Sequence, residues 1–464
     1  MESVTVVILA AGLGTRMRSR RAKVLHRAGG LTLIEQVVNT AAAITPEERI
    51  VVVVGHQAAE VRAALAHRRV QFVEQTEQKG TGHAVMMCSP VIDSSGAVAV
   101  IYGDCPLLSV TTLRQLIDKQ LTGNVAATLI TTTLEDPSGY GRVILDDFGF
   151  VHSIVEQKAA NPEQLEIPLI NSGMYCFRAD LLCRYIGEIQ PNNPAHEYYL
   201  TDIVEILNRE GFKVAQLEIP DSAELLGINT RIELAAADGI LRGRKTKDLM
   251  LAGVTIEKPE TVTIDTQVTI GMDTVVQPFA RLLGDTRIGE DCTIGACSVI
   301  ESSEIGDRVS IAPFSVVGHS RIAEDAVIGP FARLRMDSEV GAAAHVGNFV
   351  ELKKTRMGAG AKANHLAYLG DSGIGEKTNI GAGTITCNYD GVNKHKTDIG
   401  RGTFVGSNAT LVAPVEIGDG AYIAAGSVIT DPVPAEALAL GRARQVVKEG
   451  WAAKRRRRQS PVAQ

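Results

Sequence analysis

The sequence predicts two folded units, an α/β unit with a parallel sheet and a left-handed parallel β-helix, joined by a linker helix. Up to residue 228, short β-branched runs alternate with amphipathic stretches, a pattern typical of parallel strands flanked by helices. From residue 250 an aliphatic residue recurs every six positions, as in hexapeptide solenoids. Residues 229–249 between them are rich in Ala, Leu and Arg. We therefore predict domains at 1–228 and 250–464, with the linker helix at 229–249.

The first unit contains β-branched runs of strand length at residues 4–9, 50–54 and 97–101. Amphipathic stretches at 31–43 and 57–66 separate them. This alternation predicts helical crossovers between parallel strands, whose carboxyl ends then share one edge of the sheet.

The second unit keeps its period of six from Ile264 to Ile300 and continues, with one-residue resets, to Ile429. Three hexapeptides would form one triangular coil with the aliphatic residues pointing to the axis. Residues 386–399 interrupt the period, which predicts an outward loop. Long loops on rigid scaffolds are common places for binding groups.

The charge of the chain argues against a nucleic-acid-binding protein. A net charge of −6 without a broad basic surface argues against nucleic acid as the main partner. The basic run from residue 454 to 458 is expected to be a solvated tail, and we assign it no function.

The location of the protein is also predicted from the sequence. The seven cysteines are odd in number, scattered and without a C-x-x-C pair, which favours a reducing compartment. Residues 1–11 are interpreted as a core strand rather than a signal peptide. No apolar stretch is long enough for a membrane helix. We therefore expect a cytoplasmic protein without membrane insertion.

A glycine-rich turn, LAAGLGTRM at residues 9–17, follows the first predicted strand. Backbone N–H groups of such a turn can cradle phosphate. The dinucleotide-binding fingerprint needs Gly or Ala where Met17 stands, and the Gly-Lys-Ser/Thr of a P-loop is absent. The turn therefore predicts a phosphate site of another kind. Asp104, just past the strand at 97–101, would lie in the same crevice as a metal ligand.

Several motifs together carry a family resemblance that covers nearly the whole chain. The turn at 9–17 with Lys23, QTEQKGTGHA at 75–84 and YGDCP at 102–106 resemble the signature of sugar-nucleotide pyrophosphorylases. Polar segments within the repeats resemble the acetyltransferase half of bifunctional N-acetylglucosamine-1-phosphate uridyltransferase/glucosamine-1-phosphate N-acetyltransferases. These segments are residues 333–335, 348–354, 362–371 and 379–391.

The resemblance implies a Rossmann-like nucleotidyltransferase fused to a β-helix acetyltransferase, assembled as a homotrimer. Acetyl-CoA would acetylate glucosamine 1-phosphate, and UTP would then transfer its uridylyl group to N-acetylglucosamine 1-phosphate, releasing pyrophosphate. The product, UDP-N-acetylglucosamine, would supply cell-wall and lipopolysaccharide precursors. Mg²⁺ is the implied cofactor, because it favours oxygen ligands.

For the nucleotidyl transfer, the resemblance implies that Arg16 and Lys23 offset developing charge and that Asp104 and Asn229 bind the metal. The implied nucleotide and sugar contacts are Leu9, Ala10, Ala11, Gly12, Lys23, Gln75, Gly80, Thr81, Tyr102, Gly103, Asp104, Gly141, Glu156, Asn171 and Asn229. Gln75, Gly80 and Thr81 would face the uracil.

For the acetyl transfer, His365 would act as general base on the 2-amino group of the sugar. The implied contacts to the acceptor sugar are Arg335, Lys353, Tyr368 and Asn379. Those implied for acetyl-CoA are Ala382, Asn388, Tyr389, Ser407, Ala425 and Arg442.

Two alternatives remain at the level of sequence. One is a pyrophosphorylase whose β-helix is only regulatory or oligomerising, as in ADP-glucose pyrophosphorylase-like proteins. The other is an inactive assembly protein that retains both folds. His365 with Lys353 and Arg335 argues against the first, and the presence of Asp104, Asn229, Arg16 and Lys23 argues against the second.

Overall fold

A computed structural model describes residues 3–193 and 196–459. Outside the described residues lie residues 1 and 2, which belong to the predicted core strand at 1–11, and residues 460–464, which end the predicted second domain. The chain divides into two compact units, Met1–Lys245 and Thr246–Gln464. This division falls inside a helix, Arg231–Leu251, so the predicted domain boundaries at 228 and 250 stay predictions.

The first unit is built on a nine-stranded mixed sheet. Its strands, with a small separate hairpin, are β1 (Ser3–Leu9), β2 (Arg27–Ala28), β3 (Leu31–Thr32), β4 (Ile50–Val54), β5 (Gln71–Glu74), β6 (Gly96–Tyr102), β7 (Ala127–Thr133), β8 (Arg142–Leu145), β9 (Val151–Val155), β10 (Leu169–Arg178) and β11 (Val214–Glu218). The helices are α1 (Leu33–Ala42), α2 (Ala58–Ala64), α3 (Thr81–Met86), α4 (Val110–Thr122), α5 (Pro162–Leu165), α6 (Ala179–Tyr185) and α7 (Asp202–Arg209), followed by α8 (Arg231–Leu251), which contains the division between the two units. A further helix, α9 (Trp451–Gln459), belongs to the second unit.

The order of the strands determines which loops meet at one edge of the sheet. The main path of the sheet runs β11-β7-β10-β6-β1-β4-β5. The run β6-β1-β4-β5 is parallel, whereas β10 is antiparallel to β6, β7 and β8, and β8 is antiparallel to β9. The predicted strands therefore lie side by side at the centre, and their apolar residues, such as Val7, Val52 and Val100, are fully buried. Helix α1 begins with a capping box in which Thr32 and Glu35 satisfy each other's backbone N–H groups.

The second unit is a β-helix whose coils contribute one short strand to each of three parallel sheets. The first sheet contains Thr255–Ile256, Val275–Val276, Thr293–Ile294, Ser310–Ile311, Val327–Ile328, His345–Asn348, Lys362–His365, Asn379–Ile380, Phe404–Val405, Tyr422–Ile423 and Leu438–Ala439. The second contains Thr263–Ile264, Arg281–Leu283, Val299–Glu301, Val316–Gly318, Arg333–Arg335, Glu351–Lys353, Tyr368–Gly370, Ile385–Cys387, Thr410–Val412 and Val428–Ile429. The third contains Thr269–Ile270, Arg287–Ile288, Glu304–Ile305, Arg321–Ile322, Glu339–Val340, Arg356–Met357, Ser372–Ile374, Thr397–Ile399 and Val415–Ile417.

The residues that repeat every six positions form the axis of this β-helix. Ile264, Val317 and Leu334, for example, are completely buried and belong to one continuous apolar core. Each packs over the equivalent residue of the next coil, as where Val317 pairs with Leu334. The period of the sequence is therefore the period of the packing.

Among residues 3–193 and 196–459, no helix combines the length and the hydropathy that a membrane span requires.

Candidate active sites

The first candidate site is a cleft of about 620 Å³ at the carboxyl edge of the sheet. β1 and β6 pair in parallel with Leu9 opposite Tyr102, so the loops that follow both strands open at one edge. The N–H of Gly103 donates to the carbonyl of Leu9 at 3.0 Å and ties these loops together. β4 lies on one side of β1 and β6 on the other, and such a switch point is where open α/β sheets bind ligands.

Most of the residues predicted for nucleotide binding line this cleft. They are Leu9, Ala10, Ala11, Gly12, Lys23, Gln75, Gly80, Thr81, Tyr102, Asp104, Gly141, Glu156 and Asn171. Arg16 and Asn229 are joined to this set by hydrogen bonds, and Gly103 by its bond to Leu9.

A charged cluster occupies one end of the cleft. The ammonium of Lys23 contacts the carboxylate of Asp104 and lies 3.1 Å from Oδ1 of Asn229. Arg16 donates to the same Oδ1 at 2.8 Å. Lys23 and Asp104 are mostly buried, with side chains 14% and 16% exposed. Two oxygens from distant parts of the chain therefore already share one cation.

Glycine is required beside this cluster. Gly14 has a φ of 61°, and a Cβ there would lie 2.6 Å from the Cβ of Lys23. A larger residue would push Lys23 away from Asp104, so Gly14 allows the turn to close over the lysine.

Asn229 is held by the start of α8. Its N–H donates to the Glu233 carboxylate at 2.6 Å, and its side-chain amide donates to the carbonyl of Gly227 at 3.0 Å. The N–H of Ile228 donates to the carbonyl of Asp104 at 2.9 Å. These bonds keep Oδ1 of Asn229 directed at Lys23.

A second wall of the cleft carries Gln75 and Gly80. The Gln75 amide nitrogen lies 3.0 Å from both the Gly80 carbonyl and Nδ1 of His83. Gly80 has a φ of 108°, and a Cβ there would lie 2.6 Å from the carbonyl of Tyr198. Only glycine fits this loop without displacing that chain segment.

A third wall holds Gly141, Glu156 and Asn171. The N–H of Asn171 donates to the carbonyl of Gly141 at 2.9 Å. Burial raises the pKa of Glu156. Burial, with the carboxylates of Glu205 and Glu156 nearby, also raises the pKa of Asp202 to about 6. This end of the cleft is therefore partly desolvated.

The sequence reasoning missed several residues of the first site. Glu197 and residues 199–201 line the cleft but belong to no motif, so no signal in one sequence marks them. Gln78 also lines it and lies inside the quoted segment at 75–84. Arg142 is buried beneath the third wall, where it donates to Gln157 at 2.9 Å; it stands beside the predicted Gly141.

The second candidate site lies where neighbouring coils of the β-helix bring polar residues into register. Arg335 pairs with Lys353, and Glu351 with Tyr368. Arg335 donates to Glu351 at 2.6 Å. The predicted acceptor residues Arg335, Lys353 and Tyr368 therefore share one sheet over three successive coils, while Asn379 lies on the first sheet beside Lys362.

Lys353 is an almost completely buried cation. It is 3% exposed and donates to Oδ2 of Asp371 at 2.7 Å. The same oxygen accepts a hydrogen bond from the amide of Asn388. Burial acts to raise the pKa of the Asp371 carboxyl, but these hydrogen bonds prevail and hold it below its ordinary value. Asp371, which was not assigned from the sequence, links the predicted sugar and acetyl-CoA sets.

His365 is exposed, with its Nδ1 2.8 Å from Oδ1 of Asn348. The two residues are partners in adjacent parallel strands. Because a carboxamide oxygen can only accept, Nδ1 carries the proton and Nε2 keeps its lone pair. The imidazole can therefore accept a proton at Nε2.

The predicted acetyl-CoA residues extend from His365 along one corner. His365, Ala382, Ser407 and Ala425 each follow a buried axial residue by two positions in successive coils. Asn388 is buried beside Asp371. Tyr389 is 59% exposed. Arg442 has its Cδ 4.0 Å from the position a Cβ would take on Gly426, next to Ala425.

Known protein families and curated relatives match both halves of the chain. The model of the MobA-like NTP transferase domain matches residues 6–148, and that of the bacterial transferase hexapeptide (six repeats) matches residues 267–302 and 396–431. A curated relative from Solibacter usitatus, the bifunctional protein GlmU, is 58% identical over 98% of each chain. The GlmU proteins of Koribacter versatilis and Trichormus variabilis are 50% and 45% identical, and each covers 97% or more of both chains.

The chain belongs to the bifunctional GlmU family. The predicted resemblance, the fold class and the prediction of a bifunctional nucleotidyltransferase and acetyltransferase are thereby confirmed. The chain is a transferase that acts on small molecules, with a nucleotide among its substrates. The alternatives of a regulatory β-helix and of an inactive assembly protein find no support in relatives that share both halves.

Proposed function

We propose that this GlmU-family chain makes UDP-N-acetylglucosamine in two reactions, each at one of the sites described above. The observation that carries the proposal is a separate charged site in each unit, Lys23 with Asp104 and Asn229 in the first, and His365 with Lys353 in the second. Acetylation of glucosamine 1-phosphate comes first and uridylyl transfer second. The product supplies cell-wall and lipopolysaccharide precursors.

His365 acts as general base in the acetyl transfer. The nitrogen of the 2-amino group attacks the thioester carbonyl of acetyl-CoA while Nε2 takes a proton from that nitrogen. The C–S bond then breaks, and the departing thiolate takes the proton from Nε2 to leave as the CoA thiol. Asn348 keeps the imidazole in the required tautomer through Nδ1. Lys353 and Arg335 bind the sugar phosphate, because both present cations within one sheet.

The aligned corner from His365 to Ala425 supports an extended acetyl-CoA site. Its small residues leave room for a long ligand to lie along the edge of several coils. Asn388, Tyr389 and Arg442 supply polar and cationic groups beside it. The thioester would then lie at the His365 end.

In the uridylyl transfer, the phosphate of N-acetylglucosamine 1-phosphate attacks the α-phosphorus of UTP and pyrophosphate leaves. Arg16 and Lys23 offset the negative charge that develops, so the chain needs no covalent nucleophile. Gly141, Glu156 and Asn171 bind the sugar, and Gln75, Gly80 and Thr81 bind the uracil. The N–H groups of the turn after β1 cradle the phosphates.

Mg²⁺ fits the first site as cofactor. Among residues 3–193 and 196–459, no cluster of three or more His, Cys, Asp or Glu side chains could hold a metal. Asp104 and Asn229 nevertheless aim two oxygens at one cation, the Lys23 ammonium. Mg²⁺ binds with few protein oxygens because substrate phosphates and waters complete its shell. Asp104 and Asn229 would hold it, and it would neutralise phosphate charge.

We also propose a homotrimer. Phe314, Phe331 and Phe349 form a stacked row along one corner, with ring centroids 5.2 Å apart between successive members. Each ring is about half exposed, at 51%, 47% and 55%. A contiguous apolar row of this kind is typical of a surface that another subunit covers.

The proposed location is the cytoplasm. All seven cysteines, each among the described residues, are free thiols, which suits a reducing compartment. The implied partners are glucosamine 1-phosphate, N-acetylglucosamine 1-phosphate, UTP and acetyl-CoA, with neither nucleic acid nor membrane insertion.

An omission assay tests this function. With glucosamine 1-phosphate, acetyl-CoA, UTP and Mg²⁺ we expect free thiol, pyrophosphate and UDP-N-acetylglucosamine. Without acetyl-CoA, pyrophosphate release should stop unless N-acetylglucosamine 1-phosphate is supplied, whereas without UTP thiol release should continue. Two results would contradict the proposed order. One is thiol release that depends on UTP, and the other is pyrophosphate release from UTP and glucosamine 1-phosphate when acetyl-CoA is omitted.

A further inference from the structure

The carboxamide of Gln75 is fixed by two acceptors. Gln75 is 3% exposed, and its amide nitrogen lies 3.0 Å from the carbonyl of Gly80 and 3.0 Å from Nδ1 of His83. A carboxamide nitrogen has two N–H groups, so the carbonyl and the imidazole engage both. Turning the carboxamide over would bring its oxygen against these acceptors, at the cost of both hydrogen bonds.

The orientation of Gln75 determines which atom of its carboxamide can form a hydrogen bond with a ligand in the cleft. Gln75 lines the cleft, and its Oε1 accepts no hydrogen bond from the residues that the structure describes. The oxygen is therefore free to accept a hydrogen bond from a ligand.

His83 is itself held in place. It lies on α3, whose Gly82 N–H donates to the Tyr198 carbonyl at 2.7 Å. Its ring packs against that of Tyr198 with centroids 6.0 Å apart. The imidazole can therefore fix Gln75 without being displaced itself.

We propose that His83 is a positioning residue that sets base specificity, by holding Gln75 so that Oε1 faces the base. This inference rests on the proposed function, in which Gln75 faces the uracil. An acceptor matches uracil, whose N3 carries a hydrogen, and opposes cytosine, whose N3 is itself an acceptor. Thymine shares the N3–H of uracil, so His83 acts against cytosine only.

The test compares two substitutions that differ in one property. His83→Asn retains an acceptor near the position of Nδ1, whereas His83→Leu has similar bulk and no acceptor. For each variant kcat/KM is measured with UTP and with CTP, using N-acetylglucosamine 1-phosphate. We expect His83→Leu to lower kcat/KM for UTP about tenfold and to reduce the preference for UTP over CTP by about the same factor, and His83→Asn to stay within about threefold of the wild type.

The outcomes separate this inference from the proposed function. Gln75→Ala should lower kcat/KM for UTP. If it does, but His83→Leu leaves the ratio of UTP to CTP unchanged, the role of His83 is wrong and the uracil site stands. If Gln75→Ala has no effect, Gln75 does not face the base and both fail. Thermal unfolding checks each fold, and His83→Ala replaces the leucine variant if α3 is disturbed.

Discussion

Replacing Asp104 with alanine is expected to reduce uridylyl transfer by at least about 1,000-fold, because the change removes a proposed metal ligand and leaves a buried ammonium without its carboxylate. Lys23 is only 14% exposed and contacts Asp104 directly. Loss of the carboxylate therefore affects Lys23 and the proposed Mg²⁺, two of the groups that would offset phosphate charge. The rate of pyrophosphate release from UTP and N-acetylglucosamine 1-phosphate measures the effect.

Acetyl transfer by the Asp104→Ala protein is the internal control. It should stay within about twofold of the wild type, because His365 and Lys353 belong to the other compact unit. Asp104→Asn preserves the size of the side chain and should still lose most of the activity, since a neutral amide binds Mg²⁺ weakly. Full uridylyl transfer by Asp104→Asn would exclude a charge-based role for Asp104.

The second large effect is expected at His365, where alanine should slow acetyl transfer by about 100- to 10,000-fold, the usual contribution of a general base. His365 is exposed, and among the described residues its side chain hydrogen-bonds to Asn348 alone, so the β-helix should keep its stability. Thiol release from acetyl-CoA with glucosamine 1-phosphate measures the rate.

Asn348→Ala provides a graded comparison for His365. It keeps the imidazole but removes the contact that fixes its tautomer, so a smaller loss of about tenfold is expected. Uridylyl transfer should be unchanged in both variants. If His365→Ala retained acetyl transfer at the wild-type rate, another group would have to be the base.

The β-helix could be predicted from sequence because its period is a local property. Each coil repeats the same contact, an aliphatic residue over its equivalent in the next coil, so Ile264, Leu334 and Ile429 reveal the fold without knowledge of distant pairing. Three of the strands of the first unit, at residues 4–9, 50–54 and 97–101, were also apparent from local composition. The order of the strands in the sheet could not be predicted, because β1 pairs with β4 and β6, which are far from it in sequence.

In the first site, too, local sequence predicted some residues, whereas long-range contacts could not be predicted. Asp104 was placed at the end of a strand by its position, but Asn229 was assigned only by family resemblance. The structure joins them through Lys23, a contact between residues that are far apart in sequence. No spacing rule predicts such a contact, since it depends on how the sheet is wound.

The start of the linker helix carries a local sequence signal. Thr230 and Glu233 form a capping box, in which the Thr230 N–H donates to the Glu233 carboxylate at 2.7 Å and the Glu233 N–H donates to the Thr230 hydroxyl at 3.2 Å. The pattern Thr-x-x-Glu indicates a helix that starts after residue 230, as α8 does at Arg231. Asn229 therefore precedes the helix.

Asp371 and His83 were missed for a different reason. Both lie inside quoted motifs, yet each acts on another side chain: Asp371 on Lys353, and His83 on Gln75. Sequence motifs mark segments that bind ligands, but the partner of a buried polar group becomes visible only when the coils or loops are in place.

Mixing the two inactive variants tests most directly the claim that each unit carries an independent site. Neither Asp104→Ala nor His365→Ala alone should make UDP-N-acetylglucosamine from glucosamine 1-phosphate, acetyl-CoA, UTP and Mg²⁺. An equal mixture should make it, because N-acetylglucosamine 1-phosphate released by the first protein can reach the intact uridylyl site of the second. No product from the mixture, while each variant keeps its remaining single activity, would contradict two independent sites.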